Sequence, residues 1–100
     1  MSNTLKLVIH APTEAAFESA RRNLLNVLHN APGTSVELVV NAQGVSAAIQ
    51  HYRGYKAHLV LCANSLAAQN LDAPEGVRVV PNAMLYLAEQ QAGGWAYIRA

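Results

Sequence analysis

The stretch AHLVLC, residues 57–62, runs directly into ANSL, residues 63–66, and this junction of an apolar run with a helix-like segment decides the fold. The apolar residues are nearly continuous, which is typical of a central strand in a parallel sheet that helices cover on both faces. Parallel neighbours need long crossover connections, which are usually helices. We therefore expect strands and helices to alternate along the rest of the chain.

Strand-like runs occur at four other places. They are LKLVIH (5–10), VELVV (36–40), VRVVP (77–81) and WAYIRA (95–100). Each is rich in β-branched, aromatic or leucine side chains, and turn or capping residues separate it from the next helical pattern. With the central run, the sequence predicts five strands.

Four helical patterns connect these strands. Thr13 and Asn82 are suitable N-caps for the first and the last. The first helix ends before Pro32 and buries apolar residues at three- and four-residue spacing, namely Phe17, Ala20, Leu24, Val27 and Leu28. A second spans about residues 41–52, and a short third ends near residues 70–74. The last stops at Gly93 and is expected to bury Met84, Leu85, Leu87 and Ala88.

This alternation within 100 residues predicts a single α/β domain over residues 1–100. Right-handed crossovers put helices on both faces of the sheet. The expected fold is flavodoxin-like, with three α/β/α layers and a five-stranded, mostly parallel sheet in the order 2-1-3-4-5. In that order the ligand crevice lies outside the carboxyl ends of the first and third strands.

Three polar or nucleophilic side chains fall at the carboxyl ends of predicted strands. His10 ends the first strand, Asn41 follows the second and Cys62 ends the third. A parallel sheet brings all three to one rim. Cys62 also precedes a helix start that we expect Asn64 or Ser65 to cap, and a thiol beside a helix N-terminus has its pKa lowered from about 8.5 towards neutrality. The pattern predicts a ligand crevice at this rim and makes Cys62 a candidate nucleophile.

A purely structural interpretation of these residues stays open at this point. Free cysteine is among the most buried residue types, so Cys62 could be a small packing residue at a strand end. A histidine at the end of a strand, such as His10, often hydrogen-bonds a backbone carbonyl rather than acting as a base. The direction of the two side chains decides between these interpretations.

The composition favours self-association. Charged residues make up only 13% of the chain, against a usual quarter or so, and 52% of the residues are hydrophobic. Such a surface is expected to meet another subunit, so we predict a homo-oligomer. The final strand carries Trp95 and Tyr97, which form either an aromatic-covered edge or part of that interface.

Composition and spacing also argue against several classes of partner. A net charge of +1 without a basic run gives no footprint for nucleic acid. No metal-binding spacing joins His29, His51 or His58, and no phosphate-binding glycine motif occurs, so neither a metal nor a cofactor is predicted. The chain shows no signal peptide or apolar run long enough to span a membrane, and its single cysteine suits a reducing compartment. We expect a cytoplasmic protein.

Three segments together resemble the DsrE/DsrF-like proteins of intracellular sulfur metabolism. LVLCANSL (59–66) is similar to that family's strand-end cysteine and the A-N-T/S-L that follows it. The C-terminal part from VRVVPN (77–82) to GGWAYIRA (93–100) is similar to its V-x-x-V-P segment and closing aromatic strand, and VELVVNAQGV (36–45) matches its second strand and turn more loosely. The likeness extends over nearly the whole chain in order and spacing.

The resemblance implies a flavodoxin-like subunit of a trimer or hexamer in which a cysteine carries a persulfide. That cysteine corresponds to Cys62, and the chain offers no second cysteine to resolve the persulfide, so donor and acceptor would be other proteins, other subunits or small thiols. Two hypotheses follow. One is a sulfur carrier of the sulfurtransferase type. In it, His10 and the helix start at Asn64 and Ser65 tune Cys62, while Asn41 and Gly44 shape the pocket. The other is a non-enzymatic oligomeric module that binds a small anion or nucleotide in the crevice.

Overall fold

The computed structural model describes residues 5–100. Its strands are β1 (Lys6–Ala11), β2 (Ser35–Val40), β3 (Leu59–Cys62), β4 (Arg78–Val80) and β5 (Ala96–Arg99). Its helices are α1 (Glu14–Asn30), α2 (Gly44–Gln50), α3 (Ala63–Ala68) and α4 (Ala83–Ala92), with a 3₁₀ turn at Tyr52–Gly54 between α2 and β3. The strands and helices alternate as predicted.

All five strands are parallel and form one sheet in the order β4-β3-β2-β1-β5. The α/β class and the five-stranded parallel sheet with helices on both faces are confirmed, but the predicted order 2-1-3-4-5 is wrong. The chain adds β2, β3 and β4 successively on one side of β1 and then returns to place β5 on the other side. Alternation of elements does not reveal this, because either order uses the same right-handed crossovers.

The direction of each crossover decides which face of the sheet its helix covers. The three crossovers from β1 to β4 run one way, and the apolar side chains of their helices join one buried cluster, which includes Phe17 of α1, Val45 of α2 and Leu66 of α3. The crossover from β4 to β5 runs the opposite way, so α4 lies on the other face. There Leu87 packs in a smaller cluster with Val60 of β3.

Local signals in the sequence placed the ends of α1 and α4 well. The Thr13 side chain accepts from the Ala16 N–H at 3.0 Å, and that of Asn82 accepts from the N–H groups of Met84 and Leu85. The predicted buried face of α4 is partly wrong, however. Met84 and Leu85 are 52% and 65% exposed and Ala88 is exposed, because the helix meets the sheet along a narrow seam of two buried residues, Ala83 and Leu87.

Burial separates the central strands from the edge strands. Every residue of β3 is buried, as the continuous apolar run predicted. The edge strands are short: β4 has three residues, and β5 has four that are all exposed to some extent. No helix within residues 5–100 is long and apolar enough to cross a membrane.

Candidate functional site

The observed strand order moves the topological switch point of the sheet. α3 leaves the end of β3 towards one face, whereas α4 leaves the end of β4 towards the other, as the clusters that hold Leu66 and Leu87 show. In open α/β sheets ligands bind at such a divergence. The crevice therefore lies between β3 and β4 rather than between β1 and β3. Cys62 stays in it, while His10 and Asn41 lie to one side.

Cys62 itself occupies the N-cap position of α3, because the strand passes into the helix without a linker. The expected capping by Asn64 or Ser65 is therefore wrong, since both residues lie inside the first turn of the helix. The α4 face of β3 carries Cys62 and Val60. The first residue of α4, Ala83, belongs to the same buried cluster. The thiol thus lies between the beginnings of two helices.

These surroundings lower the pKa of the Cys62 thiol. Burial, the largest single influence, raises it, but the backbone N–H of Ala83 opposes burial. Hydrogen bonding from Ser65, by both its backbone and its side chain, and from the backbone of Asn64 acts in the same direction as Ala83, and the net shift is downward. The N–H groups act because they stabilise the thiolate more than the thiol.

Ser65 has a second role in holding the loop that follows β2. Its hydroxyl oxygen accepts from the Ala42 N–H at 2.8 Å, and the Gln69 side chain donates to the Ala42 carbonyl at 2.8 Å. Ala42 has a positive φ of 48°, an uncommon conformation for alanine. The side chains of Ser65 in α3 and of Gln69 directly after it therefore hold both backbone polar groups of a strained loop residue next to the crevice.

Gly44 begins α2 directly behind this loop, as its position in the sequence suggested. A Cβ atom there would lie 2.4 Å from the Ala11 carbonyl oxygen and 2.9 Å from Cγ1 of Val40. Only glycine allows this approach of α2 to the ends of β1 and β2. The residue shapes the rim through packing.

His10 and Cys62 do not lie on neighbouring strands, because β2 lies between β1 and β3. Strand spacing puts β1 and β3 about 9.5 Å apart. Both ring nitrogens of His10 have other partners: Nε2 bonds Asn41 Oδ1 at 2.9 Å and Nδ1 bonds the Tyr97 hydroxyl at 2.7 Å. With Asn41 as the acceptor, the neutral ring accepts the Tyr97 hydroxyl hydrogen at Nδ1. The ring of His10 therefore bonds two side chains rather than a backbone carbonyl, and packing alone does not explain its position.

A buried polar cluster under α4 was missed at the sequence level. The carboxylate of Glu37 in β2 accepts from the Tyr86 hydroxyl at 2.6 Å and from the Gln90 side chain at 2.8 Å. Arg78 in β4 donates to Glu37 at 2.8 Å and to the Tyr86 hydroxyl at 3.0 Å. Burial, followed by the hydrogen bond to Glu37, raises the pKa of Tyr86 to about 12. A single acidic residue inside the apolar run VELVV was the available signal.

Sequence reasoning also overlooked Ala83, Gln69 and Tyr97. Ala83 acts through its backbone N–H and Gln69 supports a loop, and neither role can be recognised from the residue type. Tyr97 was predicted only to belong to an aromatic-covered edge or to a subunit interface. Among residues 5–100, no three His, Cys, Asp or Glu side chains lie close enough together to hold a metal ion.

No protein-family model and no curated protein matches the chain. Among solved structures, a protein of unknown function from Methanobacterium thermoautotrophicum, MTH1491, is similar with a TM-score of 0.84 and 24% sequence identity. The match covers 96% of this chain and 99% of that one. A likeness at this identity extends to the fold.

Proposed function

We propose that the protein is a cytoplasmic persulfide carrier in which Cys62 accepts and passes on sulfane sulfur. One observation carries the proposal: the only thiol of the chain lies at the divergence of α3 and α4, where backbone N–H groups from both helices lower its pKa. A lone packing cysteine needs no such donors. The resemblance of LVLCANSL to the sulfur-relay cysteine motif adds the reaction type.

The transfer is an exchange between thiols without net oxidation. The Cys62 thiolate attacks the terminal sulfur of a donor persulfide, an S–S bond to Sγ forms, and the donor leaves as a thiolate that takes up a proton. An acceptor thiolate then attacks the sulfur carried by Cys62 and releases Sγ as a thiolate. The donors that stabilise the thiolate also make Cys62 a good leaving group, since a low pKa favours departure.

The depth of the thiol limits which donors can react. Only 5% of the Cys62 surface is exposed. A bound sulfur atom lies about 2 Å beyond Sγ, as in a disulfide, so the acceptor attacks an atom displaced from the thiol by that distance. We expect small or extended persulfides to load the protein faster than bulky ones.

Mass spectrometry after incubation with a low-molecular-weight persulfide tests the proposal. We expect the wild-type chain to gain the mass of one sulfur atom, with the addition on the peptide that contains Cys62, and to lose it on treatment with a thiol acceptor. The Cys62→Ser variant should gain nothing. Failure of the wild-type protein to load while a known carrier loads in the same mixture would refute the proposal.

The second candidate function is a binding module for a small anion at the same crevice. Two helix beginnings at one rim favour it, because the positive end of a helix dipole attracts anions. A cavity of about 260 Å³ beside the start of α4 adds space; it is lined by Val80, Pro81, Asn82, Leu85, Tyr86 and Glu89. Two results together would favour this function. The wild-type protein would take up no sulfur, and the Cys62→Ser variant would bind the anion as well as the wild-type protein does.

We also propose that the protein works as a homo-oligomer, a trimer or hexamer as the resemblance implies. Several large apolar side chains are exposed on its surface, namely Leu5, Leu25, Val79, Met84, Leu85, Tyr97 and Ile98. Light scattering at micromolar concentration gives the mass in solution, and a monomer would refute this part of the proposal. The sulfur donor and acceptor are taken to be other proteins or small thiols.

A further inference from the structure

Glu37 is the one acidic residue that is buried among residues 5–100. It lies in β2 at the middle of the sheet, on the face that α4 covers. A buried carboxylate is costly unless its oxygens are well satisfied. Glu37 meets this condition with three donors, two of which, Tyr86 and Gln90, belong to α4. The third, from Arg78, comes from β4.

The contact with Glu37 is a large part of what holds α4 on the sheet. The apolar seam of the helix is limited to Ala83 and Leu87. Tyr86 and Gln90 lie one turn apart beside this seam, and both donate to the same oxygen, Oε1 of Glu37. Their two bonds are directional and fix the helix along its axis and about it, whereas the apolar packing of Ala83 and Leu87 is non-directional.

The end of α4 nearest Cys62 depends on this anchoring. Ala83 is three residues before Tyr86, which corresponds to about 4.5 Å along a helix. A helix of this length moves as a unit, so a shift at Tyr86 is transmitted to the Ala83 N–H. Ala83 shares a buried cluster with Cys62, and its N–H is one of the donors that act on the thiol. An ångström of displacement weakens such a hydrogen bond substantially.

We propose that Glu37 is a positioning residue for Cys62: by accepting from Tyr86 and Gln90, it fixes α4 so that the Ala83 N–H meets the thiol. This inference rests on the proposed function, since it assigns Glu37 to the same site. Glu37 does not touch the reacting sulfur. Its effect on Cys62 passes through the helix.

The sign of the change in thiol pKa separates positioning from a direct charge effect. Glu37→Gln removes a negative charge, and through space this would stabilise the thiolate and lower the pKa of Cys62. A glutamine amide has one acceptor oxygen where the carboxylate has two, so it cannot accept both from Arg78 and from the α4 donors. The resulting loss of positioning acts in the opposite direction, because the Ala83 donor moves away. We expect the pKa of Cys62 to rise in Glu37→Gln. Tyr86→Phe, which changes no charge at neutral pH, should shift it in the same direction by less, since Gln90 remains.

The experiment follows the rate of alkylation of Cys62 by iodoacetamide against pH in the folded variants. We expect the rate at pH 7 to fall about three- to tenfold in Glu37→Gln, since one pKa unit is a tenfold change in thiolate well below the pKa. The matched control is Glu18→Gln, the same substitution at an α1 carboxylate that bonds Arg21 at 2.7 Å. It should keep the wild-type profile.

The outcomes are distinct. A wild-type profile in both Glu37→Gln and Tyr86→Phe would overturn the inference, and so would a fall in the pKa. If Glu37→Gln does not fold, Tyr86→Phe and Gln90→Leu decide by the same measurement. A protein that takes up no sulfur but shows the expected pKa shifts would refute the carrier function and leave the positioning role of Glu37 standing.

Discussion

Cys62 lies opposite Val80 in the register of β3 and β4, so the two strands end at the same level of the sheet. α3 begins immediately after Cys62 and α4 begins three residues after Val80. Backbone N–H groups near the start of both helices, those of Asn64, Ser65 and Ala83, therefore converge on the thiol. The register of β3 and β4 brings in the Ala83 donor, and the residues that follow Cys62 in sequence supply the other donors of the candidate site.

Ser65→Ala tests the contribution of α3 to this convergence. The substitution removes a hydroxyl that lowers the pKa of Cys62 and that accepts from the Ala42 N–H. We expect the pKa of the thiol to rise and alkylation at pH 7 to slow about two- to threefold, in line with the loss of one weak donor to a thiolate. Ser46→Ala, at an exposed serine of α2, is the control and should change nothing. A faster rate in Ser65→Ala would contradict the assignment.

Gly44→Ala tests the close approach at the start of α2. The new methyl would meet the Ala11 carbonyl oxygen at 2.4 Å, and backbone cannot give way as a side chain can. We expect the free energy of unfolding to fall by about 1–3 kcal/mol, the usual cost of overpacking. Urea denaturation measures it. Gly54→Ala, where no atom lies within 4 Å of the new Cβ, should stay within about 0.5 kcal/mol of wild type.

The elements of the fold were predictable because they depend on local chemistry. The continuous apolar run at β3, the cap of Thr13 and the cap of Asn82 each act within a few residues. The strand order was not predictable in this way, because it depends on which edge the chain reaches after α4. The positions of Cys62 and Gly44 do not depend on the strand order, since Cys62 ends β3 and Gly44 begins α2 soon after β2.

The prediction that His10 lies next to Cys62 is wrong for the same reason, the strand order. A histidine and a cysteine at neighbouring strand ends would share a boundary, but β2 separates them and Asn41 lies between. Glu37 shows a different limit. Its partners Tyr86 and Gln90 follow it by 49 and 53 positions in sequence, so only the folded chain shows why a carboxylate stands in an apolar strand.

His10 is predicted to support the rim without acting as the base for Cys62. Tyr97→Phe removes the hydroxyl at Nδ1 of His10, 2.7 Å away. We expect unfolding to become easier by about 1 kcal/mol, the net value of one hydrogen bond. The pH profile of Cys62 alkylation should not move, since Asn41 keeps its bond to Nε2. A shift of that profile in Tyr97→Phe but not in Tyr52→Phe, at a partly buried tyrosine outside this contact, would assign His10 a direct part in activating the thiol.

The pH dependence of stability tests the thiolate without any reagent that must reach a buried sulfur. The pKa of Cys62 is lower in the folded protein than its ordinary value, which is about 8.5 in an unfolded chain. The folded state therefore gives up the thiol proton more readily than the unfolded state. Its stabilising contribution is fully present above the unfolded pKa and is lost as the pH falls through the folded pKa.

Comparison of the wild-type protein with Cys62→Ala isolates this contribution. We expect the difference in free energy of unfolding between the two, measured by urea denaturation at several pH values, to shift in favour of wild type as the pH rises from about 6 to 9. The constant cost of removing a buried side chain cancels, because only the change with pH is compared. When both proteins also carry Glu37→Gln, the difference between them should change less with pH, since this substitution displaces the Ala83 donor. A difference that stays level, or falls, with rising pH would mean that the folded protein does not favour the thiolate.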